Sequence, residues 1–299
     1  MSASQLRTLA PDPFARWGEV EGALSTAIAP ERRLQIQALV ASLLNAEAPA
    51  GLDAADVARI AGWQEAEALA ADERAVLEFA EQFVLDVSAC TVEQRSAAMA
   101  ALGADAFPFV QVLYVVDLGT RMASAWHHLF GTGPDVQPVA GHDLWAVLES
   151  FMSAVACLDA LDPLTTEIVR LRGARAHNCR LCKSIRNVRA ANGGADESVY
   201  DEIEHYQSST LSVRHQTALR LVDTMVWEPC SYPADLAAAV RASFTDREAV
   251  ELVLDIARNA ANKIAVGFGA DEAHVTDGVE FYDIDDRGEL VYGLTPEGH

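Results

Sequence analysis

The chain has 299 residues, 51% of them apolar, enough to bury one large core or two medium ones. Its 22 Lys and Arg against 44 Asp and Glu give a formal charge of −22, which repels a nucleic-acid backbone and an anionic membrane surface alike. The N-terminus lacks a basic region followed by an apolar run, no segment offers about 18 uninterrupted apolar residues, and the five cysteines, three of them isolated, do not form a secreted disulfide framework. These features predict a soluble, cytoplasmic protein with no nucleic-acid or membrane partner.

In chain order, DERAVLEFAEQFVLDV (72–87) places Val76, Leu77, Phe79, Ala80, Phe83 and Val84 at helical spacing with acids between them, an amphipathic helix. GTGPDVQPVAGHD (131–143) concentrates Gly and Pro and reads as a linker. Helical spacing returns in DLWAVLESFMSAVACLDAL, PLTTEIVRLRGARAH, VRHQTALRLVDTMVW, PADLAAAVRASF and REAVELVLDIARNAANKIAVGFG. The tail, VEFYDIDDRGELVYGL (279–294), alternates apolar and polar residues on either side of Asp-Asp-Arg-Gly and predicts a β-hairpin. The fold class is therefore all-α with a short C-terminal hairpin.

The two halves resemble each other. IAPERRLQIQALVASLLNA (28–46) lies over LDPLTTEIVRLRGARAHNC (161–179), matching Pro30 to Pro163, Ile36 to Val169 and Asn45 to Asn178. Ala75 onward lies over Ala218 onward, and VLYVVDLGTRMA over LDIARNAANKIA, with Arg121 opposite Lys263. This predicts tandem helical domains, a degenerate copy over 1–135 and a second over 144–299. The first copy lacks the cysteine pair, since Ala46 falls opposite Cys179.

That pair lies in HNCRLCKSIR (177–186). Asn178 as N-cap and Gly193 and Gly194 as terminators predict a helix from Cys179 to Ala191, with both thiols in its first turn. Unpaired N–H groups, the helix dipole and the cations Lys183 and Arg186 then favour thiolate, and Cys182 and Arg186 share a face. The arrangement suits reversible dithiol chemistry. Two alternatives stand beside it: half of a zinc site, for which His177, Cys157 and Cys230 offer no second pair, and two inert core cysteines. Cys90, Cys157 and Cys230 read as small core residues.

An all-helical unit with Glu167 twelve residues before a C-x-x-C resembles the carboxymuconolactone decarboxylase and alkylhydroperoxidase D (AhpD-like) family. The later helices resemble that family too, including a polar pattern at Asn259, Asn262 and Lys263. The resemblance implies a thiol-dependent peroxidase or disulfide reductase. Cys182 would be the attacking thiol, Cys179 the resolving thiol and Glu167 the acid of a proton relay. The cofactor expectation is none, and no metal; the partners are a hydroperoxide or disulfide, an external dithiol reductant and further copies in a homo-oligomer. Four residues after the second cysteine, where the family's peroxidases carry a proton-passing histidine, this chain has Arg186, which stays protonated and can stabilise a thiolate or bind an anion but shuttles nothing. His177, placed with Arg186 as a substrate-binding or thiolate-stabilising residue, or His205, His215, His127 or His128, could supply the proton. A lyase or isomerase acting on a small carboxylate, as in the decarboxylase branch, and a non-catalytic helical scaffold remain as alternatives.

Overall fold

A computed structural model describes residues 1–47, 51–66 and 69–297. Helices begin where short polar side chains can accept their first N–H groups. Asp143 accepts from Ala146 N and Asp162 from Thr165 N, with Pro163 at the first helical position; Thr245 and Glu248 form a capping box. The first half runs α1 (Ala3–Leu9), α2 (Pro11–Leu24), α3 (Pro30–Leu44), α4 (Ala54–Ala61), α5 (Ala71–Asp86), α6 (Val92–Leu102) and α7 (Ala106–Phe130). The second runs α8 (Leu144–Ala156), α9 (Pro163–Ala176), α10 (Arg180–Lys183), α11 (Val188–Asn192), α12 (Glu197–Asp201), α13 (Val213–Trp227), α14 (Leu236–Ser243), α15 (Asp246–Asn259) and α16 (Asn262–Phe268). Three strands complete it: β1 (Ile185–Asn187), β2 (Glu280–Ile284) and β3 (Leu290–Leu294).

The molecule is mostly helical, and the C-terminal hairpin is present as β2 and β3, antiparallel with Tyr282 opposite Tyr292. Its turn places Gly288 at φ +80°, where a Cβ would lie 2.3 Å from Ser153 O, so the close approach of the turn to α8 requires glycine. A third strand was not expected. β1 pairs parallel with β2, Ile185 opposite Glu280 and Asn187 opposite Tyr282.

One continuous apolar core joins both halves and includes Phe14, Phe79, Tyr114, Phe151 and Val253. Trp17 of α2 packs on Phe151 of α8 with ring centroids 5.2 Å apart, and Tyr114 Oη of α7 donates to Ala257 O of α15 at 3.1 Å. The helical run Val92–Phe130, α6 through α7, is long and apolar enough by composition to cross a membrane, yet its α7 part carries the buried Asp117 and Arg121 and contributes Tyr114 to this core. The linker region, 131–143, holds no regular element and lies along α2: Val139 N donates to Gly18 O at 2.9 Å, and a Cβ on Gly22 would sit 2.0 Å from Val139 O.

Four expectations are corrected. The helix from Cys179 to Ala191 is broken into α10, β1 and α11. Ser184 O accepts from Glu280 N at 3.0 Å and Ser184 Oγ from His274 N at 2.9 Å, so pairing with the tail overrides a weak helical preference around the β-branched Ile185. Asn178 is not the cap; Cys179 is, its sulfur accepting from Cys182 N. The last long helix divides into α15 and α16 at Ala260 and Ala261, where Lys263 N and Ile264 N bond carbonyls three residues back, Ala260 O at 3.0 Å and Ala261 O at 3.1 Å. Cys157 is exposed, not buried.

Candidate active site around Cys182

The two cysteines owe their position to an unusual helix ending. Asn178 adopts the left-handed conformation at φ 53°, which lets Cys179 N reach back to Ala174 O at 2.9 Å and close α9. The chain then starts the single turn α10, and Cys182 N donates to Cys179 Sγ at 3.2 Å. Asp271 clamps that turn from the loop after α16: it takes Arg180 N at 2.9 Å through Oδ2, its backbone O takes Leu181 N at 3.0 Å, and it pairs with the Arg180 guanidinium.

Cys179 Sγ and Cys182 Sγ lie 2.6 Å apart, Cys179 donating. Cys179 is buried, and Cys182 is half-buried on the wall of a cavity of about 560 Å³ shared with Arg170, Arg258, Asn259, Asn262 and Tyr282. The environment divides the two thiols. The hydrogen bond from Cys179 lowers the Cys182 thiol most; Arg170 and a bond from Asn262 add to it, burial and Asp271 oppose, and the balance is about 7. The same sulfur–sulfur bond, together with burial, pushes Cys179 well above the ordinary thiol range. Cys182 is the more acidic of the two thiols.

The cation beside Cys182 is Arg170, not Arg186. Arg170 Nη1 donates to Cys182 O at 2.7 Å and Nη2 to Ile185 O at 2.9 Å, while Nε and Nη2 each reach Glu167 at 2.7 Å. Glu167 also accepts from Asn187 N at 3.1 Å and Tyr282 Oη at 3.2 Å. Glu167 thus sits behind Arg170, and among the described residues it bonds neither sulfur. Arg186 lies on β1 and points away: it forks onto Glu197 at 2.8 and 3.0 Å, donates to Lys183 O and stacks over Tyr200 with its guanidinium 5.1 Å from the ring. With α10 ending at Lys183, the i, i+4 relation between Cys182 and Arg186 no longer holds.

His177 is buried and bonds Asn262 Oδ1 through Nδ1 at 2.7 Å, and Asn262 lines the same cavity as Cys182. Burial first, then Lys263 and Arg121, hold its imidazole down at about 3, so it is neutral. Lys263 donates to Asp117 Oδ2 at 2.6 Å and Arg121 Nε to Asp117 Oδ1 at 2.7 Å, a buried charge cluster reaching in from α7. Arg170, Asn262 and Tyr282 complete a site of which sequence spacing marks only the first, through its i, i+3 relation to Glu167; Tyr282 arrives on a strand remote in sequence. Among the described residues no group of three or more His, Cys, Asp or Glu could hold a metal ion.

The chain is similar to two uncharacterized proteins of Mycobacterium tuberculosis, Rv2313c and MT2376. Each is 46% identical over 231 residues, covering 74% of this chain and 81% of the relative. The chain belongs to their family. No family model matches it, and neither does any solved structure. The matched length spans most of these mycobacterial relatives.

Proposed function

We propose that the protein is a thiol-dependent oxidoreductase of the AhpD-like type, reducing a hydroperoxide or a disulfide with the Cys179–Cys182 dithiol. The observation that carries this reading is the placement of the two sulfurs: Cys182, its thiol lowered to about 7, faces a cavity, and Cys179, its thiol raised, lies 2.6 Å behind it. Attack of Cys182 Sγ on a peroxide oxygen breaks the O–O bond, and the alcohol leaves with a proton from solvent in the cavity. Cys182 is then a sulfenic acid; Cys179 displaces water from it, and the S–S bond forms. An external dithiol returns two electrons and two protons. Glu167, fully engaged by Arg170, Asn187 and Tyr282, serves this chemistry by fixing the cation beside the thiolate, while the open cavity supplies protons.

The tandem reading is part of the same proposal. Asn45 and Asn178, aligned in sequence, are the two non-glycine residues with positive φ among those described, at 54° and 53°, and each is followed by the same closure, Ala46 N to Ala41 O and Cys179 N to Ala174 O. The first copy keeps the helix ending, places Ala46 where Cys179 stands, and serves as a packing partner inside one chain.

The test is hydroperoxide-dependent oxidation of dihydrolipoamide. Wild type should turn over, Cys182→Ser should lose activity altogether, and Cys179→Ser should stop after one equivalent of peroxide. Failure of the wild type with every hydroperoxide and disulfide offered would end the redox reading.

A further inference from the structure

We infer that Arg258 reads a carboxylate, so that the preferred substrates are organic hydroperoxides carrying an acid group. The inference rests on the redox reading and names its substrate class.

The arginines around the dithiol are spent, with one exception. Arg170 uses all three guanidinium nitrogens on Glu167, Cys182 O and Ile185 O. Arg180 pairs with Asp271, Arg186 forks onto Glu197, and Arg189 bonds Asp283 and Ile284 O. Arg258, half-buried in the last turn of α15, is held through Nε alone, which donates to Met152 O of α8 at 3.2 Å. Among the described residues its Nη1 and Nη2 donate to nothing, and no carboxylate pairs with it. The anchored Nε fixes the guanidinium and leaves the Nη1 and Nη2 edge as a fork that matches the two oxygens of an acid.

Arg258 and Asn259, whose side-chain amide is also unpartnered among the described residues, line the 560 Å³ cavity of Cys182 and a second cavity of about 450 Å³. Arg170 and Tyr282 are common to both as well, so the two adjoin there. The acids on the wall of the Cys182 cavity, Glu149 and Glu289, are exposed, where water screens them from Arg258. One cation balances one negative charge; a dianionic phosphate would bring a surplus into a chain that already carries −22. A carboxylate is therefore the better match.

The same wall includes Met152, Leu181, Ile185 and Leu290, apolar surface suited to a hydrocarbon framework. A substrate of this class sets its acid on the Arg258 fork, lays its hydrocarbon on these side chains and presents the hydroperoxide to Cys182. Chemistry at sulfur is as above: the O–O bond breaks, Cys182 becomes a sulfenic acid, and the departing alcohol keeps its carboxylate.

The test uses para-isopropylbenzoate and its neutral near-isostere para-isopropylbenzamide as unreactive probes of the full chain. Each is titrated for protection of Cys182 against iodoacetamide, read peptide by peptide by mass spectrometry. In wild type the benzoate should protect at about tenfold lower concentration than the amide. Arg258→Gln should make the two probes equal, and Arg258→Lys, which keeps the charge without the fork, should retain only part of the preference. Equal protection by both probes in wild type, or by neither, overturns the inference; so does a full preference surviving in Arg258→Gln. Should Arg258→Gln fail to fold, an undiminished preference in Arg258→Lys overturns it. No hydroperoxide enters this assay, so the two readings fail separately. Selective protection without peroxidase turnover would uphold the anion site and end the redox reading; turnover of cumene hydroperoxide with equal protection would end the carboxylate inference alone.

Discussion

The acidity of single groups here is set by what each is packed against. Asp255, on α15 beneath the site, has one carboxyl oxygen with no partner, and burial followed by the neighbouring Glu251 raises it to about 8. Its folded value lies above the unfolded value of about 3.9. The native state therefore keeps a proton that the unfolded chain releases, so the associated stability is present below about pH 4 and lost as pH rises through 8. Asp255→Asn, nearly isosteric and always neutral, should be closest to or below wild type in melting temperature at pH 5 and gain on it steadily to pH 8.5. A difference between the two that stays constant across that range would show that Asp255 does not titrate as described.

Between residues and the whole fold, the decisive element is the short sheet. The hairpin turn needs Gly288 both for its positive φ and for its approach to Ser153. Gly288→Ala should cost about 1–3 kcal/mol in urea unfolding and speed amide exchange in β2 and β3; an unchanged exchange pattern would mean that the turn does not hold the hairpin on α8. The same sheet explains what sequence could and could not disclose. Helices α5, α8, α9, α13, α14 and α15 were legible from apolar residues at helical spacing, and the hairpin because it alternates about Asp-Asp-Arg-Gly. Cys179, Cys182 and Glu167 were legible by spacing. The fate of Arg186 was not: helical periodicity runs through "CRLCKSIRNVRAAN", and only the bond from Glu280 N to Ser184 O, made by a distant segment, turns Ile185–Asn187 into a strand and aims Arg186 at Glu197. Asn262 was visible as a polar position without a role, since its partner His177, and Cys182 on the wall of the same cavity, lie far from it in sequence.

For the molecule as a whole, the halves share one interior. Trp17 against Phe151, Tyr114 Oη on Ala257 O and Lys263 on Asp117 all cross between them. Separating the halves would strand Asp117 with Arg121 on one side and bare Lys263 on the other, and breaking a buried ion pair costs about 3–5 kcal/mol. The full chain should unfold in one calorimetric transition, and a fragment beginning at residue 140 should lack a cooperative melt. Two separate transitions, or a folded and active C-terminal fragment, would show that the first half is dispensable.

The parallel pairing of β1 with β2 also fixes a sequence of events in time. The strand directly after the dithiol takes its neighbour from a segment far downstream, and Tyr282 on that neighbour bonds Glu167 behind Arg170. During synthesis the cysteines emerge long before these partners exist. Until β2 and β3 have left the ribosome, the thiol loop has no strand to pair with and Glu167 lacks one of its donors. The surroundings that separate Cys182 from Cys179 therefore come together only after Asn262, Asp271 and Tyr282, all C-terminal to the dithiol, have been made.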